Sequence, residues 1–214
     1  PTLGQLKVFG RDPCTNRTLL RRIGLCPASD VLYPNVSALE WVTYQTRLHG
    51  IDRTQSRRMA EAALETVGME ATMTRAMGTY SLGMRQRTKI AQAIAHQPEF
   101  LILDEPYNGL DPVGRADMTR LLKEWTVAGR GLLFASHVLQ EIESVTSSFL
   151  LIHGGRLRAS GTAGEIESIL ADTPQEVRLI GPDAAKLIGR LAEADWAESV
   201  QLNRPRQELR VSLR

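Results

Sequence analysis

Long apolar stretches are missing from this chain. No run approaches the roughly 18 residues of a membrane-spanning helix, and none of the 214 residues form a secretory-signal pattern. Cysteine is nearly absent: Cys14 and Cys26 are the two present. Two unpatterned thiols fit a reducing compartment better than a disulfide framework. Charge of one sign is not in excess either, with 26 Lys and Arg against 24 Asp and Glu, a net charge of +2. The basic residues form no tract, so charge gives no argument for nucleic acid. A starting Met is also lacking: the chain opens on Pro1, and we expect a processed, trimmed or incomplete sequence. What remains is ordinary for a globular protein, 43% hydrophobic and 23% charged. The length holds one sizeable core and a small second module.

The stretch Phe100 to Asp111, FLILDEPYNGLD, organises the rest. Phe100 to Leu103 is an unbroken apolar run, expected as a strand buried on both faces of a parallel sheet. It ends in Asp104 and Glu105, followed by Pro106. Carboxylates are rarely buried without partners, and the carboxyl end of a central strand is where ligands bind in open α/β sheets. Upstream, Tyr80-Ser81-Leu82-Gly83-Met84-Arg85-Gln86-Arg87 opens a helix expected from Gly83 to His96. Ile90, Ala93, Ile94 and Gln97 share a face of it, and Pro98 ends it. A small hydroxyl and a glycine at a helix start make an anion site, although a plain Ser N-cap explains them too. Downstream, Asp111 is placed as N-cap and Pro112 as the first residue of a helix. Met118, Leu121, Leu122 and Trp125 form its apolar stripe, and Gly129 ends it. Leu132 to Ala135 is a further buried strand that delivers Ser136-His137.

In this order the segments resemble the nucleotide-binding domain of ABC-type ATPases, over residues 1–170 or so. The signature motif falls on Ser81 to Gln86, the Walker B strand on Phe100 to Glu105, the D-loop on Asn108 to Asp111 and the switch histidine on His137. The resemblance implies an α/β fold with a P-loop NTPase-like, mostly parallel sheet core. It implies an ATPase domain over 1–172, with a helical subdomain at 37–97. It also implies an ATP-binding subunit that hydrolyses ATP to drive export through a membrane-spanning permease, cytoplasmic and peripheral on the inner face of the cell membrane. Glu105 would act as general base and His137 as γ-phosphate sensor, the catalytic pair. Asp104 would hold Mg²⁺. Ser81, Leu82, Gly83, Met84, Gln86 and Asp111 would contact ATP, held across a head-to-tail dimer with a second nucleotide-binding domain. No nucleic acid partner is expected. Ser-Leu-Gly-Met is similar to the motif of exporters acting on drugs, antibiotics or polysaccharide-type cargo. Two other classes compete: a soluble ABC-class ATPase acting on nucleic acid or ribosomes, and an inactive ABC-like interaction module.

Two departures from the family pattern stand out. No G-x-x-x-x-G-K-[ST] occurs in the sequence, so we expect an amino-terminally truncated domain without Walker A. After the strand Arg21 to Cys26, the family has Pro-Gln, whose Gln contacts Mg²⁺, water and the permease. Here Pro27 is followed by Ala28, and Ser29 or Asp30 are the nearest substitutes. Elsewhere, Gln5 to Phe9 reads as a strand turned by Gly10. Leu19 to Leu25 reads as a short helix running into a strand. Ser37 and Glu40 form a capping box for a helix whose Trp41, Tyr44 and Leu48 stripe we expect in the core, with Gly50 at its end. A second helix starts near Arg53, with Met59, Ala63 and Val67 on one face. Leu150 to Ile152 and Arg156 to Ala159 flank His153-Gly154-Gly155 as a hairpin, and Thr162 with Glu165 caps a last helix. From Thr173 to the end, 173–214, a small β-α-β-β, α+β appendage is expected as a packing or dimer-contact module.

The missing phosphate loop makes the first prediction. A P-loop supplies backbone N–H groups, a Lys and a hydroxyl to the phosphates. Charge-assisted contacts contribute about 1.5–3 kcal/mol each, so losing three costs on the order of a thousandfold in affinity. Isothermal titration of the 214-residue chain should give no micromolar ATP-Mg²⁺ binding. Stoichiometric micromolar binding would mean that these residues cradle phosphate in another way.

Overall fold

In a computed structural model, residues 3–29, 33–162, 164–166, 168, 176–203 and 208–213 are described. They divide into two compact units, Pro1–Thr146 and Ser147–Arg214.

The first unit is built on three parallel strands, β1 (Ile23–Cys26), β2 (Phe100–Asp104) and β3 (Gly131–Ala135), in that spatial order. Side chains alternate across a strand, so Cys26, Leu101, Leu103, Leu132 and Phe134 share one face. That face joins a single core with the helices α2 (Ala38–Leu48), α3 (Arg53–Thr66), α4 (Leu82–Ile94) and α5 (Pro112–Val127). α4 lies closest: a Cβ at Gly24 would stand 2.1 Å from the carbonyl of Ala93, so only glycine lets β1 meet the helix.

The other face carries Leu25, Ile102 and Leu133, which are direct neighbours in register. Leu25 is 54% and Leu133 51% exposed. The expectation of a strand covered on both faces is therefore corrected. Helices cover one side, and on the second Phe100 and Ile102 are only half-buried, with Phe9 meeting the Phe100 ring edge-on at 6.1 Å.

The caps follow the sequence. Ser37 and Glu40 form the reciprocal capping box of α2. Asp111 accepts from the Gly114 N–H at the start of α5, with Pro112 in its first turn. α1 (Arg17–Leu20) runs into β1 as expected. Gln5 to Phe9 forms no strand. Phe9 and Gly10 both have positive φ, and the only pairing there is the Val8–Arg11 bridge. The turn residues close a two-residue hairpin that no described strand extends.

The stripe Trp41, Tyr44, Leu48 is a second correction. α2 buries Ala38, Leu39, Val42 and Thr46 instead. The buried face is rotated from the expected stripe: Trp41 still packs half-buried on the core, while Tyr44 is 55% and Leu48 64% exposed. Tyr33, Trp41 and Tyr44 form an aromatic row with centroid spacings of 5.3 and 6.4 Å. The Trp41 indole N–H donates to Gln92 of α4 at 2.8 Å.

In the second unit, β4 (Ser148–His153) and β5 (Arg156–Thr162) form the expected antiparallel hairpin around Gly154-Gly155. The capping exchange between Thr162 and Glu165 is present. β6 (Glu176–Ile180), a short helical stretch through Ala192, β7 (Ala197–Asn203) and β8 (Glu208–Leu213) then follow, and β8 lies between β6 and β7. Leu209 and Val211 pack on Ala184, Ile188 and Leu191, so the β-α-β-β pattern is as read. The boundary expected at 172/173 lies outside the described residues.

Where α2 and α4 end, His49 and His96 stack with centroids 3.7 Å apart and planes 6° from parallel. His96 Nε2 donates to the Ile23 carbonyl at 3.0 Å, while Nδ1 is buried with no partner. Desolvation, then the neighbouring His49, pushes His96 down to about 4. Desolvation and the Arg21 charge lower His49. Both folded values lie below the ordinary 6.5, so the unfolded chain takes up protons first as pH falls. Their contribution is whole above about 6.5 and is lost as pH falls toward about 4. The urea midpoint should drop across that window. His96→Gln, whose amide still reaches for Ile23, should flatten the drop, and an unchanged slope in that variant would rule the pair out as its source.

Candidate functional site

β2 ends at Asp104, exposed at the carboxyl end of the central strand. Glu105 follows with φ of 51°, a left-handed conformation that costs about 1–3 kcal/mol for a non-glycine residue. Main-chain bonds hold it there. Its N–H donates to the Ala135 carbonyl at 3.0 Å, and its carbonyl accepts from the Asn108 N–H at 3.1 Å. The turn aims the Glu105 side chain across the strand ends toward the residues after β3. There the His137 ring Nδ1 lies 2.8 Å from Glu105 Oε1. The hydrogen bond to Glu105, then that carboxylate's charge, raises the His137 pKa, with Glu141 adding to it. The ring stays largely in solvent while the carboxylate is mostly buried.

The segment carrying His137 has its own support, which sequence reasoning missed. α6 (Leu139–Glu143) begins just beyond it. Glu141 accepts from the Ser136 hydroxyl and pairs with Arg115 of α5. Arg115 Nε donates to the Leu110 carbonyl. The D-loop segment is thereby tied to the histidine loop through one arginine and one carboxylate. The only sequence signal was a Glu four residues after His137.

A second group forms around the start of α4. Ser81 is its N-cap, accepting from the Met84 N–H at 3.2 Å. A Cβ at Gly83 would meet the Gly109 carbonyl at 2.8 Å, and one at Gly109 would meet Leu82 at 2.4 Å. Leu82-Gly83 and Gly109-Leu110 thus interlock, with Asp111 following as the N-cap of α5. Met84 packs half-buried on the core.

Gln86 joins the two groups, and its expected role needs correction. It is 2% exposed. Its amide donates to the Pro106 carbonyl at 3.0 Å and the Glu105 carbonyl at 3.3 Å. A buried amide committed to those two acceptors does not face a nucleotide. It holds the peptide after Asp104 against α4. Ala28 and Ser29 are exposed on the loop after β1, and Asp30 lies outside the described residues.

The ABC transporter family matches residues 1–108. This chain belongs to that family. It is 38% identical over 159 residues to the bacitracin transport ATP-binding protein BcrA of Bacillus licheniformis, covering 73% of this chain and 51% of that one. It is 30% identical over 207 residues to the ABC transporter ATP-binding protein YxlF of Bacillus subtilis, covering 97% and 67%. A solved structure described as the ATP-binding subunit of an ABC transporter superposes with a TM-score of 0.70 at 26% identity, over 80% of this chain and 72% of the other. The ABC transporter chain described here spans about half the length of BcrA. No helix among its described residues is long and apolar enough to cross a membrane.

Gln86→Leu removes the amide and leaves the buried Pro106 carbonyl short of its donor, while the Glu105 carbonyl keeps the Asn108 N–H. Such orphaned groups cost about 1–3 kcal/mol, so urea denaturation should show a loss of that order. A loss below about 0.5 kcal/mol, within the range of neutral surface changes, would mean that water replaces the amide.

Proposed function

We propose that this chain forms part of an ATP-binding subunit that hydrolyses ATP to energise an ABC exporter through a membrane-spanning permease. The observation that carries the reading is the 2.8 Å contact between Glu105 and His137 beside Asp104, at the carboxyl end of a parallel sheet. That is where open α/β sheets bind ligands.

Phosphoryl transfer to water is mostly positioning and charge stabilisation. Glu105, its carboxylate aimed by the left-handed turn, orients and deprotonates the attacking water as general base. His137, held charged to higher pH by Glu105, donates toward the γ-phosphate. Asp104 offers the exposed oxygen donor that a hard cation takes alongside nucleotide phosphates. Mg²⁺ bound there would neutralise developing charge on those phosphates. Ser81, Leu82 and Gly83 present the start of the 13-residue helix α4 to the nucleotide of a second domain in a head-to-tail dimer, with Asp111 at that interface. Gln86 acts behind them as a tie.

The exposed Tyr33, Tyr44 and Leu48, flanking half-buried Trp41, support the permease as partner. Aromatic residues are enriched at protein interfaces, and this row adjoins the loop after β1. Through that contact the chain would sit on the inner face of the membrane. Relatives described as bacitracin transport and linearmycin resistance proteins support antibiotic-type cargo.

In the full-length ATPase, Glu105→Gln should keep ATP binding and slow hydrolysis by about 10²–10⁴, the usual contribution of a general base. Steady-state phosphate release within about threefold of the parent, far below that range, would remove Glu105 from the role.

A further inference from the structure

Lys89 lies on the buried face of α4, 6% exposed, among Gln86, Ile90 and Ala93. Its ammonium donates to three consecutive main-chain carbonyls: Pro27 at 3.2 Å, Ala28 at 3.3 Å and Ser29 at 3.4 Å. An ammonium has three N–H donors and no acceptor, so these carbonyls take its whole capacity. Among the described residues Lys89 makes no ion pair. Cys26 is close by, but burial pushes its thiol up to about 11, so no thiolate balances the charge. A buried cation without an anion is costly unless dipoles solvate it. The loop can do so only by turning three successive carbonyls inward together.

We propose that Lys89 is a positioning residue, a tethered cation that clamps the loop after β1 onto α4 so that the two move as one body. The loop is held through its main chain, which explains how a methyl side chain is tolerated at Ala28. The position where the family pattern has a polar side chain is restrained here from beneath. Its meaning for transport rests on the ATPase–permease reading, since this loop adjoins the aromatic row. The clamp itself does not rest on that reading.

The test is hydrogen exchange by mass spectrometry on the 214-residue chain. Lys89→Met keeps length and removes the charge. Exchange in peptides covering residues 24–36 should speed by about tenfold while α5 peptides stay within about twofold, the pattern of local opening. Lys89→Arg should restore part of the protection. Equal acceleration everywhere, or none at 24–36, overturns the clamp. Should Lys89→Met fail to fold, amine acetylation of the parent decides. Lys89 should react more slowly than exposed Lys7, Lys123 and Lys186 by about tenfold or more, as a group accessible only through opening does. Equal rates overturn the clamp. In the full-length ATPase bound to its permease, Lys89→Met should lose permease-stimulated turnover and Lys89→Arg regain it. A parent complex with no ATPase activity refutes the transporter reading and leaves the clamp to the exchange and acetylation results.

Discussion

Helix α4 sends four polar side chains to four different neighbours. Gln86 holds the peptide after Asp104, and Lys89 holds the loop after β1. Arg87 donates to the Val67 carbonyl at the end of α3, and Gln92 accepts from Trp41 of α2. Between them Ile90, Ala93 and Ile94 supply the apolar contact with the sheet. Apolar burial is non-directional and fixes only that surfaces meet. The hydrogen bonds fix how they meet, because a buried donor or acceptor that misses its partner forfeits desolvation energy. Ser81, Gly83 and the turn carrying Glu105 are placed by this one helix, while His137 relies also on the Arg115–Glu141 tie.

That arrangement explains how a strained residue survives. Glu105 sits in a backbone region that bulky residues avoid, and its neighbours over-determine it. β3 accepts its N–H, Asn108 and Gln86 donate to its carbonyl, and His137 engages its carboxylate. Strain of this kind collects where a side chain must point in an unusual direction. Here the direction is across the strand ends toward the histidine.

Much of this was legible in the residue order. Capping signals at Ser37 and Asp111 located helix starts because local side-chain bonds decide them. The apolar runs at Phe100 and Leu132 located strands. Facing was less legible. The Trp41 stripe has the spacing of a buried face, but the face centred on Ala38, Leu39 and Val42 took the core, leaving Trp41 half-buried and Tyr44 and Leu48 exposed. An apolar run likewise says that a strand is not solvated on one side, without saying that both sides are covered. In the site, the motif order marked Glu105 and His137. The buried roles of Gln86 and Lys89 lay in a spacing of 86, 89, 90 and 93 on one helical face, where polar letters are easily assigned to solvent. The Arg115–Glu141 tie joins residues 26 positions apart, beyond any local pattern.

The uncovered side of the sheet has a practical consequence. Leu25, Ile102 and Leu133 stand in a row across three strands, a flat aliphatic strip that water wets poorly. Two such strips fit each other without any shape-specific docking, because pleated surfaces of branched side chains interdigitate readily. At high concentration such strips favour self-association of the 214-residue chain, and a net charge of +2 gives it little repulsion to oppose that. Its solubility should be governed by salt and dilution more than by the strength of its fold.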